Sequence, residues 1–194
     1  MNNDQEVRDL LERYQCPFGF HEVRARFMGA IASPAAGVVP LNDVSSLWGG
    51  ELPPVSSMEE VDAFVNTLIK GLWTRLAQSG LQQEAFELVP FDLSEAEVNW
   101  QSLRRLCQIR LEEIQGFTDG FFQGLDELNL PAEASHCLNS LSELEEFFVN
   151  LIALTEPAAE QDLAALADQI DELSEIATVE INNIMALVAA SKAP

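Results

Sequence analysis

Glycines 116, 120 and 124 recur at four-residue intervals within a stretch whose other apolar residues follow helical spacing. A glycine inside a helix costs about 1 kcal/mol relative to alanine. Residues four apart share one face of a helix. Three glycines on that face make sense where another backbone approaches too closely for side chains, or where the helix breaks. Phe117, Phe121 and Phe122 surround them. The pattern predicts a tight helix–helix crossing at Gly116, Gly120 and Gly124, flanked by packing of Phe117 and Phe121.

The rest of the chain agrees with a helical solution, because strand alternation is nearly absent. A first helix is expected over Asn3 to Gln15, stopped by Cys16-Pro17, and a second over about Phe20 to Ala32, ended by Ser33-Pro34. The loop over 33–56 is too long to be idle. It carries Leu41, Val44, Leu47 and Trp48, so part of it is expected to fold back as a helical turn. Ser57 with Glu60 is a capping box, in which hydroxyl and carboxylate each satisfy a free backbone N–H. Val61, Val65, Leu68, Leu72 and Leu76 then mark one face of a long helix ending near Ser79-Gly80. A second capping box, Ser94 with Glu97, opens a helix in which Leu103, Cys107, Leu111 and Ile114 share a face.

Pro131 starts the next helix, with Leu138, Leu141, Leu144, Phe148 and Leu151 on one side. Pro157 starts the last, whose positions Leu163, Leu166, Ile170, Leu173, Ala177, Ile181, Ile184 and Val188 form a heptad seam with one stutter. These two helices are expected to form an antiparallel hairpin. Its seam is filled either from within the chain or by a second copy, making a homodimer. The fold expected is all-α: a multi-helix orthogonal or bundle domain with a C-terminal antiparallel helical hairpin. One domain is expected over 1–194, with the acidic hairpin at about 131–190.

Charge narrows the function. The chain holds 10 Lys and Arg against 32 Asp and Glu, a net of −22. Phosphate contacts made by Lys and Arg dominate sequence-independent nucleic-acid binding, so direct nucleic-acid binding is not expected. Residues 111–194 carry 17 acidic side chains and one basic residue, Lys192. The longest apolar candidate, Phe147 to Leu154, is only eight residues and contains Asn150, so no membrane span is expected. The acidic start lacks the pattern of a secretory signal. Three cysteines without a CxxC pair point to reduced thiols and a cytoplasmic location.

Several segments together resemble the YecA/YgfB-like family of uncharacterised bacterial proteins. Glu22-Val23-Arg24-Ala25-Arg26-Phe27-Met28-Gly29-Ala30-Ile31 is similar to the family's early helix, although Arg24-Ala25 stands where the family commonly has His-Gly. Leu47-Trp48-Gly49-Gly50, Ser56-Ser57-Met58-Glu59-Glu60 and the later Asn66, Leu72 and Leu76 resemble the segments that follow. Gly116-Phe117-Thr118-Asp119-Gly120-Phe121-Phe122-Gln123-Gly124-Leu125 resembles the Gly-Phe-x-x-Gly signature, with Gln115 where a Trp often precedes it. Some members carry a cysteine-rich metal-binding tail, and Ala189 to Pro194 contains no cysteine. The likeness spans about 22–125 and implies an all-helical fold without established chemistry.

No reactive constellation stands out. Glu133 and His136 form an E-x-x-H element, but a di-iron bundle needs two such elements and two further glutamates. Cys16 and His21 are separated by Pro17 and Gly19, which indicate a turn, and no nucleophile elbow or phosphate loop is present. No cofactor or metal is therefore expected. Arg24 and Arg26 with Arg104, Arg105 and Arg110 either neutralise the chain's own carboxylates or form a site for an anion or acidic partner.

The expectation is a non-enzymatic protein–protein interaction module with a protein partner. Its close-packing or interaction residues are Gly116, Phe117, Gly120, Phe121, Gly124, Arg104, Arg105 and Trp48. The alternatives are an acidic decoy for a nucleic-acid-binding protein and, further off, a metal-dependent helical-bundle enzyme.

Overall fold

The computed structural model describes residues 3–35, 39–82, 84–90, 99–154 and 160–191. Among these residues the protein is all-helical, with connecting segments and no strand. The helices are α1 (Asn3–Arg13), α2 (Phe20–Ala32), α3 (Pro40–Ser46), α4 (Met58–Phe64), α5 (Thr74–Leu81), α6 (Trp100–Phe122), α7 (Ala132–Ala153) and α8 (Glu160–Ser191). A π-helical stretch, Val65–Trp73, joins α4 to α5 without interruption. The chain packs as two compact units, one formed by Met1–Ala85 with Gly116–Asn129, the other by Phe86–Gln115 with Leu130–Pro194. The division therefore runs through α6 rather than after the glycine motif.

In the first unit, α1 buries Val7, Leu10 and Leu11, and α2 buries Val23, Phe27 and Met28. The loop after α2 does fold back: α3 places Val44, and the turn after it Leu47, in the core, whereas Leu41 stays exposed. Trp48 is half-buried, donates from Nε1 to the Tyr14 carbonyl at 2.9 Å and packs edge-on against Phe64. The Ser57 hydroxyl caps α4 by accepting from the Glu60 amide at 3.2 Å. Glu60 reaches one residue further back than the sequence implies and accepts from the Ser56 amide at 2.5 Å.

The long helix expected after Ser57 is present, but its middle is π-helical. The Thr74 amide bonds to the Ile69 carbonyl five residues earlier, and the Thr74 hydroxyl donates to the same oxygen at 2.9 Å. The wider turn shifts the buried face to Phe64, Leu68, Leu72, Trp73 and Leu76, leaving Val61 and Val65 half-exposed.

The second unit contains the beginning of α6, all of α7 and α8, and a segment without regular secondary structure over Phe86 to Pro90. The second expected capping box lies outside the described residues. Instead, Asn99 and Ser102 cap each other reciprocally, the Ser102 amide donating to Asn99 Oδ1 at 2.9 Å and the Asn99 amide to Ser102 Oγ at 3.1 Å. α7 packs along α8, with Leu141, Leu144, Phe148 and Leu151 facing Ile170, Ala177, Ile181, Ile184 and Val188 in the core. Cys137, early in α7, meets Glu180 in the second half of α8, as an antiparallel pair requires. The seam residues Leu163, Leu166 and Leu173 are only half-buried.

Candidate functional site

The glycine motif is a backbone crossing inside the first unit. A β-carbon on Gly116 would lie 2.5 Å from the Glu22 carbonyl oxygen, and one on Gly120 would overlap the Arg26 carbonyl. α2 contributes a reciprocal glycine that spacing did not reveal: a β-carbon on Gly29 would overlap the Phe117 carbonyl. Phe117 and Phe121 are wholly buried and stack at 5.8 Å. They are core residues, which removes them from any contact surface of the unit.

Gly124 requires a correction. It lies beyond the end of α6 at φ +74, following Gln123 at φ +50, and a β-carbon there would meet nothing. Its role is to let the chain leave the helix in a left-handed conformation.

The arginines divide between the two units. Arg26 donates to Asp119 at 2.7 Å, lies 3.6 Å from Glu22 and covers the Phe18 ring. In the second unit, Arg110 and Glu113 form a buried pair at 2.5 Å. Arg110 also donates to the Ser174 hydroxyl and the Val89 carbonyl, each at 3.0 Å, while Glu113 accepts from the Val89 amide at 2.6 Å. Arg104 and Arg105 are exposed on α6; Arg105 approaches Glu112 at 3.9 Å. Arg26, Arg105 and Arg110 thus each lie within ion-pair distance of a carboxylate of their own unit, as the neutralising alternative expects.

The Val89 contacts belong to a larger arrangement that sequence reasoning missed. Asn182 Oδ1 accepts from the Phe86 amide at 2.8 Å, and Asn182 Nδ2 donates to the Phe86 carbonyl at 2.9 Å. Side chains of α6 and α8 thereby satisfy both backbone groups of Phe86 and of Val89. Phe86 and Leu88 are buried, while Glu87 between them is exposed. A run of five residues with only two alternating anchors gives little signal in the sequence, and its polar partners lie far along the chain.

The reactive candidates do not assemble. The Cys16 thiol lies 3.9 Å from the Leu47 carbonyl, and burial raises its pKa, the opposite of nucleophile activation. Burial pushes the Cys107 thiol up to about 11. Burial and then the neighbouring Glu180 carboxylate do the same for Cys137, also to about 11. Glu133 and His136 are exposed near the start of α7, and among the described residues no group of three or more His, Cys, Asp or Glu could hold a metal.

The surface feature that does stand out is on α8. Ile176 is 40% exposed and Val179 56% exposed. Asp168, Glu172 and Glu175 are exposed at helical spacing beside them. By length and composition the 29-residue stretch Leu163–Ser191, which contains an 18-residue window of mean hydropathy 1.3, also meets the measure of a membrane-crossing helix, although charged residues interrupt its apolar runs. Its buried positions nevertheless keep to one stripe, the pattern of an amphipathic helix packed against a core. Comparison with protein-family models, curated proteins and solved structures finds no match to this chain.

Proposed function

We propose that this chain is a non-enzymatic protein-binding module whose contact surface is the exposed face of α8. The observation that carries the reading is the apolar pair Ile176 and Val179 set among Asp168, Glu172 and Glu175. Neither apolar side chain contributes to the buried stripe of its own helix, so both are available to a partner. Apolar side chains at the centre of a contact supply most of its affinity, and charges at the rim govern approach rate and selectivity. The partner that fits is a protein with an apolar patch edged by Lys or Arg. The resemblance of the Gly-Phe motif to the YecA/YgfB-like family is compatible with this reading, because it brings no chemistry.

The test compares the full chain with the double variant Ile176→Ser, Val179→Ser as baits in a cell lysate, at low and high salt. Partners held by the wild type, weakened by salt and lost from the variant support the reading. The same proteins on both baits, or none on either at low salt, would refute it. Duplex DNA added as competitor separates an acidic decoy, whose partner DNA would displace.

A further inference from the structure

We propose that α3 and the turn that follows it to Trp48 form a pH-sensitive latch on the first unit, held shut while the Asp43 carboxyl is protonated and released as it becomes charged. This inference is independent of the α8 surface. Val44 and Leu47 anchor the segment in the core. Beside them, Asp43 Oδ2 is buried and has no hydrogen-bond partner among the described residues. A carboxylate taken from water without a partner is costly to keep charged, so it takes up a proton instead. The Tyr14 hydroxyl is a second buried group without a partner among the described residues, and the Tyr14 carbonyl is what holds the Trp48 indole. Past Trp48, Gly49 at φ +80 and Gly50 at φ +102 stand clear of any neighbour and supply a hinge. Polar groups buried without partners beside such a hinge place the segment at the low-stability end of the unit.

The surroundings supply no counter-charge. α3 packs on the π-helical stretch, whose one titratable side chain, Lys70, is exposed. On α4, which meets the turn where Phe64 touches Trp48, Glu59 and Asp62 are exposed and Glu60 accepts from the Ser56 amide. Burial raises the Asp43 carboxyl, opposed by a hydrogen bond from its own backbone, and no charged side chain contributes. When the segment lifts, the carboxyl returns to water and to its ordinary value of 3.8, against about 6 in the closed state. The opening equilibrium is therefore lowest near pH 4, climbs with pH and levels off above about pH 6. Opening withdraws the Trp48 ring from Phe64, which uncovers the aromatic face that Phe64 forms with Tyr14.

The experiment is hydrogen exchange on the full chain between pH 4 and pH 7, with rates corrected for the intrinsic pH dependence of amide exchange. In the wild type, opening at the Val44 to Trp48 amides should rise by about tenfold or more across this range, since each unit of pKa difference is a factor of ten. Asp43→Asn, which keeps the shape and cannot ionise, should hold the segment at the closed, low-pH level throughout. At every pH these amides should open more often than those of Phe117 and Phe121 in the core of the same unit. A flat profile in the wild type would overturn the proposal, as would the same rise in Asp43→Asn. Opening equal to that of Phe117 and Phe121 would also overturn it, because the segment would then leave only when the whole unit unfolds.

Discussion

The carbonyl oxygen of Arg26 occupies the space that a β-carbon on Gly120 would need. That atom is backbone, held by α2, and cannot swing aside as a long side chain would. Gly120→Ala should destabilise the protein by about 1–3 kcal/mol through overpacking, and Gly120→Leu by more. Gly124 faces open space, so alanine and leucine there should cost alike, about 1–2 kcal/mol from the left-handed backbone alone. Thermal unfolding of the four variants checks the contrast; equal losses for alanine and leucine at Gly120 would contradict a close crossing.

Glu113 is fully buried, and its partner Arg110 is nearly so. Removing one member leaves a buried charge without its counter-charge, so Glu113→Ala should cost about 3–5 kcal/mol. Asn182→Ala leaves only neutral groups unsatisfied and should cost about 1–3 kcal/mol. Replacing Arg110 and Glu113 together by Met and Leu should recover much of the larger loss. Urea unfolding of the three variants gives the order; a Glu113→Ala loss below that of Asn182→Ala would count against the buried pair.

Burial raises the pKa of all three thiols, to about 11 for Cys107 and Cys137. Near pH 7.5 they are protonated, so none should react with iodoacetamide faster than a cysteine in an unfolded peptide. Cys107 should be labelled only when the protein unfolds. Mass spectrometry of the time course measures this, and rapid labelling of Cys16 would reopen the question of a nucleophile.

Desolvation holds the Asp43 carboxyl at about 6, above its ordinary value of 3.8. The folded state therefore binds this proton more tightly than the unfolded state. Its contribution to stability is fully present below about pH 4 and is lost as pH rises through about 6. Asp43→Asn should be stabilising at pH 7 by an amount on the order of 1 kcal/mol, after allowing for solvent screening at a half-buried site. The gain should vanish near pH 4. Unfolding curves at the two pH values decide it, and a gain independent of pH would assign the effect to something other than this titration.

Much of the architecture was legible because it is locally encoded. The bounds of α2 follow from Gly19 before it and Ser33-Pro34 after it, and the crossing follows from glycine spacing. Gly29 was not legible as its partner, since nothing in a single sequence states which backbone fills the gap. Asn182 reads as an ordinary polar residue within a helix, and only the fold reveals that Phe86 lies against it. The candidate surface left one usable signal. The heptad seam passes through Leu173 and Ala177, so Ile176 and Val179 are apolar residues off the seam.

The π-helical stretch Val65–Trp73 gives this helix a tolerance its neighbours lack. Amides that reach back five residues accommodate more chain per turn than an α-helix does. Loss of one residue there can be absorbed by reverting to ordinary helical pitch. The same deletion between Gly116 and Gly120 would swing Gly120 by about 100° around the axis relative to Gly116, presenting a side chain to α2 where only hydrogen fits.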